Sequence, residues 1–251
     1  MCTTCGCQGD MLHKHDQHDH HHHTHEHEVN RVKLEEAILA TNDQYAKANR
    51  EYLKQRNAIA FNFVSSPGSG KTSLLEKTIA RLKGEYPIAV VEGDQQTEID
   101  AARIRKVGAE AYQINTGKAC HLDAHMVGHA YEHLQIHNNS LVFIENVGNL
   151  ICPAMFDLGE KHRVAMISVT EGDDKPLKYP DMFHYADTVV INKTDLLPYV
   201  DFNVPRCIDN IRKIRSDIRI FTLSVKTEEG LGDWCAWLKS LLAAKVRNSS
   251  D

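Results

Sequence analysis

Residues Ile59 to Val64 form a short, continuous apolar run, and Ser65-Ser66-Pro67-Gly68-Ser69-Gly70-Lys71-Thr72 follows it directly and leads into the helical pattern Ser73 to Leu82. A strand, a glycine-bearing turn and a helix in this order make a cradle: backbone N–H groups converge on the positive end of the helix, which is a place for phosphate. Gly68 and Gly70 let the turn curl, and Ser69 and Ser73 stand beside it. Lys71 is expected to reach β- and γ-phosphates and the Thr72 hydroxyl to ligate Mg²⁺. Ser65 occupies a position where the motif usually has glycine, a departure in pattern but not in chemistry. A chance Gly/Ser turn is the bland alternative, and the strand before and helix after argue against it.

Further short apolar runs, Ile88 to Val91, Leu141 to Ile144, Val164 to Val169, Thr188 to Ile191 and Ile220 to Leu223, alternate with helical stretches. Buried on both faces, such strands predict a doubly wound α/β domain with a mainly parallel sheet and ligands at the strands' carboxyl ends. Two loops there carry chemistry. Asn192-Lys193-Thr194-Asp195 follows a strand, and the Asp195 carboxylate can accept from guanine N1–H and its 2-amino group, where adenine presents a lone pair. GTP or GDP is therefore the expected nucleotide, with Ser224 and Lys226 in a weaker candidate for the base-stacking loop. Asp94 and Glu145 end two other strands and can hold Mg²⁺ or orient the attacking water, making Lys71, Asp94 and Glu145 the candidate catalytic set. Solvated loop carboxylates are the alternative. Gly93 to Asp100 and Gly148 to Pro153 are the candidate switch segments.

The rest of the chain narrows the partners. A net charge of -5 supplies no broad positive field for nucleic acid. No apolar run approaches a membrane span and no secretory signal is present, so the reading is cytoplasmic. Residues 1–28 hold almost nothing that buries apolar surface and read as a disordered tail, with one domain expected over 29–251. An amphipathic helix is expected over 34–56, interrupted near Thr41, with Leu34, Ile38, Tyr45, Ala48 and Leu53 on its packing face.

The tail is rich in metal ligands. Cys2, Cys5 and Cys7 suit Ni²⁺ in a planar site or Zn²⁺ in a tetrahedral one. Of 16 histidines, nine (His13, His15, His18, His20, His21, His22, His23, His25 and His27) form a tract interleaved with acids, unlike a clean purification tag. Farther on, Cys120 and His121 open a helical stretch, and Cys152 follows the Glu145 loop. The three can share one metal if their loops emerge on the phosphate edge; buried structural cysteines are nearly as good a reading. His125, His129, His133 and His137 continue at four-residue spacing and read as a solvated or partner-facing edge, with an extended metal ladder as the minor alternative. Cys207 and Cys235 have no ligands at useful spacing and read as core.

Taken together, the CxxCxC start, the His tract, SSPGSGKT, TGKxCHLDA at Thr116 to Ala124, ENVGNLxCPA at Glu145 to Ala154 and NKTDL closely resemble the hydrogenase nickel-incorporation GTPases, the HypB family, over essentially the whole chain. The resemblance implies a fold of the signal-recognition-particle and nitrogenase-iron-protein type, slow GTP hydrolysis and a nucleotide-dependent homodimer. It implies delivery of nickel to a [NiFe] hydrogenase large subunit together with a small nickel- and zinc-binding accessory protein. By position, Cys2, Cys5 and Cys7 match the family's tight nickel motif, and Cys120, His121 and Cys152 its nucleotide-domain metal site. Three rivals remain. A urease accessory GTPase is expected to carry Pro between Cys and His, which Cys120-His121 lacks; the others are a nickel store with a weak GTPase and a nucleotide kinase.

Overall fold

The computed structural model describes residues 23–94 and 98–248. In chain order its elements are α1 (His23–Gln55), β1 (Ile59–Ser65), α2 (Lys71–Leu82), β2 (Ile88–Asp94), α3 (Ile99–Val107), β3 (Glu110–Asn115), α4 (Ala124–His133), β4 (Leu141–Glu145), α5 (Cys152–Met155), β5 (His162–Ser168), α6 (Lys175–Lys178), α7 (Pro180–Tyr185), β6 (Thr188–Asn192), a 3-10 turn (Thr194–Tyr199), α8 (Val204–Ile214), β7 (Arg219–Thr222) and α9 (Leu231–Asn248). All strands run parallel in the order β3-β2-β4-β1-β5-β6-β7. The expected α/β class is what forms. No helix among the described residues is long and apolar enough to cross a membrane.

Period-2 alternation divides the core. Phe61 and Phe63 of β1 face a cluster with Leu74, Leu75 and Ile79 of α2 and Trp234 and Leu238 of α9, whereas Ala60 faces α4 and Val64 faces α7 and α8. Within the first cluster the fully buried Trp234 donates its indole N–H to Thr78 Oγ1 at 3.0 Å, so its one polar atom is paired.

Six of the seven strands lie where the apolar runs predict them. The missed one, β3, is an edge strand of sequence EAYQIN, half-exposed in its middle and exposed at both ends, so it shows no continuous apolar run.

The first helix departs further from expectation. It is unbroken through Thr41, whose hydroxyl donates to Ala37 O at 2.9 Å, and it begins at His23, inside the expected tail. No Gly or Pro interrupts the chain from His23 to Gln55. It stops at Asn57, which takes the left-handed conformation (φ 52) while Asn57 N donates to Lys54 O and Ala58 N to Leu53 O, the paired bonds of a Schellman end.

The packing face also differs. Ile38, Tyr45 and Ala48 are exposed, the Leu34 side chain lies outside the described residues, and of the expected set Leu53 alone is buried. The buried seam is Asn42, Ala46, Asn49 and Leu53. Asn42 donates to Asp157 O and accepts from Ala124 N, and Asn49 donates to Ala124 O and Leu158 O. Asparagines with satisfied amides replace the apolar stripe and clamp α1 to α4 and to the loop before β5.

Candidate functional site

The turn after β1 has the shape of a phosphate cradle. Gly68 (φ 74) and Gly70 (φ 101) adopt left-handed conformations, and a Cβ on Gly70 would lie 2.6 Å from Asn192 Nδ2, so glycine is required there by backbone and space alike. Lys71 Nζ and Ser69 Oγ both donate to Ser65 Oγ, at 2.8 and 2.7 Å. Thus the serine in place of the usual glycine anchors the turn. A cavity of about 580 Å³ opens above it, lined by Lys71, Thr72, Glu92, Asp94, Glu145 and Gly148 among others, a size suited to a small-molecule ligand.

At its floor, Thr72 Oγ1 donates to Glu145 Oε1 at 2.8 Å. Glu145 faces Glu92 in register across β4 and β2, and both carboxyls are buried. Burial raises the pKa of Glu92 well above the ordinary carboxylate range, with the Glu145 charge adding to it; burial also raises that of Glu145, opposed by Lys71. Glu92 Oε1 and Glu145 Oε2 have no hydrogen-bond partner. Two orphaned carboxyl oxygens beside the Thr72 hydroxyl are an oxygen donor set that fits Mg²⁺, with the Lys71 ammonium left for phosphate.

A second cleft of about 500 Å³ shares Gly70, Ser73 and Lys193 with the first and is lined by Asn192, Asp195 and Lys226. Asn192 Nδ2 donates to Ser69 O at 2.9 Å and its Oδ1 accepts from Val225 N at 3.2 Å, tying the cradle to the last loop. Lys193 (φ 63) donates to Gly68 O. Ser224 Oγ donates to Asp195 Oδ1 at 2.6 Å and accepts from Thr227 N, which holds the carboxylate facing the cleft as guanine recognition needs.

The loops after β3 and β4 bring Cys120, His121 and Cys152 together, with their ligand atoms all within 4.8 Å of one another. Cys120 and His121 lie in the loop before α4, which begins at Ala124 with the Asp123 side chain as cap; they do not open the helix. Burial lowers the His121 pKa, partly opposed by Asp123, and its ring lies 4.0 Å from that of Phe156. A neutral imidazole and two sulfurs suit a borderline divalent ion.

Two contacts join the loop that carries Cys120 and His121 to the loop that follows Glu145. Asn146 Oδ1 accepts from Leu122 N and Val147 N, both at 3.0 Å, while its Nδ2 donates to Asn62 Oδ1. Asn149 Nδ2 donates to Cys120 O.

A family model described as "CobW/HypB/UreG, nucleotide-binding domain" matches residues 59–222. The chain is 56% identical over 220 residues to the hydrogenase maturation factor HypB of Azotobacter chroococcum, covering 88% of this chain and 72% of that one. It belongs to the HypB family of hydrogenase maturation factors. The Escherichia coli K12 HypB is 52% identical over 209 residues, 83% of this chain and 72% of that protein. Among solved structures, HypB from Helicobacter pylori in complex with nickel matches with a TM-score of 0.77 at 41% identity, covering 83% of this chain and 96% of that one. HypB from Archaeoglobus fulgidus matches with 0.76 at 43%, covering 81% and 100%.

Cys2, Cys5, Cys7 and His13 to His22 lie outside the described residues, as do 95–97 of the first expected switch; His23, His25 and His27 fall within α1. Cys207 and Cys235 are buried core residues, and burial pushes the Cys207 thiol up to about 12. Glu92, Asn146 and Arg103 were not singled out as site residues. Arg103 lines the phosphate cavity and binds Glu76 at 2.6 Å. Glu92 had a signal: a charged residue inside an apolar strand, two positions before its carboxyl end.

Proposed function

We propose that this HypB-family chain is a GTP-hydrolysing nickel metallochaperone that passes nickel to a [NiFe] hydrogenase large subunit in the cytoplasm. It does so as a nucleotide-dependent homodimer, together with a small nickel- and zinc-binding accessory protein. One observation carries the reading: the ligand atoms of Cys120, His121 and Cys152 converge on loops bonded to the floor of the phosphate cradle. That a HypB from Helicobacter pylori has been seen with nickel supports nickel as the cargo, with Zn²⁺ a competitor for the same ligands.

Lys71 would bind the β- and γ-phosphates, with Ser69, Ser73 and the turn's N–H groups cradling them and Asp195 reading guanine. Thr72, Glu145 and, from the rim, Asp94 would hold Mg²⁺, which neutralises phosphate charge when bound. Glu92 would then give up its proton, since a cation beside it removes the cost of charge burial. Ordering of the Gly148 loop by the γ-phosphate shifts Cys152, whose neighbours Ile151 (50% exposed) and Met155 (40%) offer an apolar surface to a second copy. The tail, with Cys2, Cys5, Cys7 and the histidine tract, would hold further ions over residues 1–28, ahead of a nucleotide-binding domain over 29–251.

The test is a Ni²⁺ titration of the full chain and of a Cys120→Ala/Cys152→Ala variant, each with GDP and with a non-hydrolysable GTP analogue, recording thiolate-to-nickel absorption and mass. A site missing from the variant, with an affinity that follows nucleotide and dimerisation, is the expected result. Equal affinity in both nucleotide states would reduce the chain to a GTPase with an attached reservoir, because coupling must show as differential binding.

A further inference from the structure

On the exposed face of α4, away from the Cys120 loop, His129 Nε2 and His133 Nε2 stand 3.4 Å apart. The two residues are four positions apart, so their side chains rise from adjacent turns on one side of the helix. Two nitrogens each about 2.1 Å from one ion and about 109° apart would be separated by about 3.4 Å, so the observed separation equals that of a tetrahedral bite.

Their orientation has support. The His133 ring stacks on Tyr112 of β3 at 5.0 Å with planes 5° apart, and the His129 ring sits edge-on to the same tyrosine at 6.4 Å. Tyr112 therefore restrains both imidazoles, which reduces the rotamer entropy an incoming ion must overcome. The other histidines of the four-residue series are placed differently: His125 packs edge-on to Tyr45 at 4.9 Å, and His137 lies beyond the end of the helix.

We propose that His129 and His133 form a second, surface metal site for a borderline divalent cation of the Ni²⁺, Zn²⁺ or Cu²⁺ class, completed by water. Neutral imidazole pairs suit these ions, and a hard cation such as Mg²⁺ would prefer oxygen donors. Two protein ligands make the site weaker and faster to exchange than the Cys120, His121 and Cys152 trio, so it would load and release ions at the surface. The site stands independently of the nucleotide-linked reading above.

The probe is Zn²⁺ alone, and the readout is carbethoxylation of individual histidines in the full chain by peptide mass mapping. His184, exposed beside Tyr185 on α7, is the internal control. Zn²⁺ is expected to suppress modification of His129 and His133 together, with one midpoint, and to leave His184 reactive. In His129→Ala the protection of His133 is expected to be lost, with a cooperative thermal unfolding transition at the parent's Tm reporting that the fold is intact. Unchanged reactivity of both residues at millimolar Zn²⁺ would mean a hydrogen-bonded imidazole pair only and would overturn the site. Protection of His133 that persists in His129→Ala would overturn it too.

Discussion

Gly148 lies directly against Pro67: a Cβ placed on Gly148 would come within 2.9 Å of Pro67 Cγ and 3.0 Å of its Cα. The loop leading to Cys152 is thus in contact with the backbone of the phosphate turn, and a side chain at 148 would push the two apart. Gly148→Ala is expected to cost about 1–3 kcal/mol through the forced shift. It is also expected to abolish the difference in Ni²⁺ affinity between GDP and a GTP analogue. An affinity ratio equal to that of the parent chain would show that the contact plays no part in coupling.

Asn146 supplies a second link, accepting from Leu122 N and Val147 N inside the protein. Asn146→Ala leaves two donors short of a partner, for a loss of about 1–3 kcal/mol by denaturant unfolding. Since Leu122 follows His121 directly, Ni²⁺ affinity at Cys120, His121 and Cys152 should fall as well. Loss of stability with unchanged nickel affinity would confine Asn146 to a structural role.

The Glu92 carboxyl gives a pH signature. Its folded pKa is raised well above the ordinary 4.5 by burial and by the Glu145 charge. Between 4.5 and the raised value the unfolded chain loses this proton while the folded chain keeps it. Folding stability of the nucleotide-free protein should therefore decline as pH rises through that window. Glu92→Gln, which keeps the shape and the donor, is expected to flatten this decline and to raise Tm relative to the parent at pH above the window's lower edge. Thermal scans of both proteins across acid to neutral pH check it; parallel curves would contradict the assignment.

In the proposed function base selection turns on Asp195, held by Ser224 Oγ at 2.6 Å. Asp195→Asn replaces one acceptor with a donor facing the guanine N1–H and 2-amino group. GTP affinity is expected to fall by about 10⁴-fold, while a xanthine nucleotide, which carries a carbonyl at C2, is expected to gain. Competition binding with the two triphosphates measures the exchange. Undiminished GTP preference would move base reading to another residue.

Much of this protein was legible in its residues because the relevant physics is local. The conformation of Ser65 to Thr72 follows from two glycines between a buried strand and a helix, and six strands announce themselves as apolar runs. Edge strand β3 did not, because a half-exposed strand such as EAYQIN carries no such run. The seam of α1 was hidden for a related reason: Asn42 and Asn49 are polar in sequence and become packing residues only when Ala124, Asp157 and Leu158 supply backbone partners.

Sequence alone therefore determined the α/β class, the glycine turn after β1 and the candidate loop at Asn192 to Asp195, since each depends on residues close together in the chain. Tertiary structure alone decided that Cys120 and His121 meet Cys152, that Glu92 faces Glu145, and that Gly148 rests on Pro67. The strand order β3-β2-β4-β1 brings these carboxyl ends side by side. Spacing along the chain does not encode that order, because it is set by which buried strands pair across the sheet.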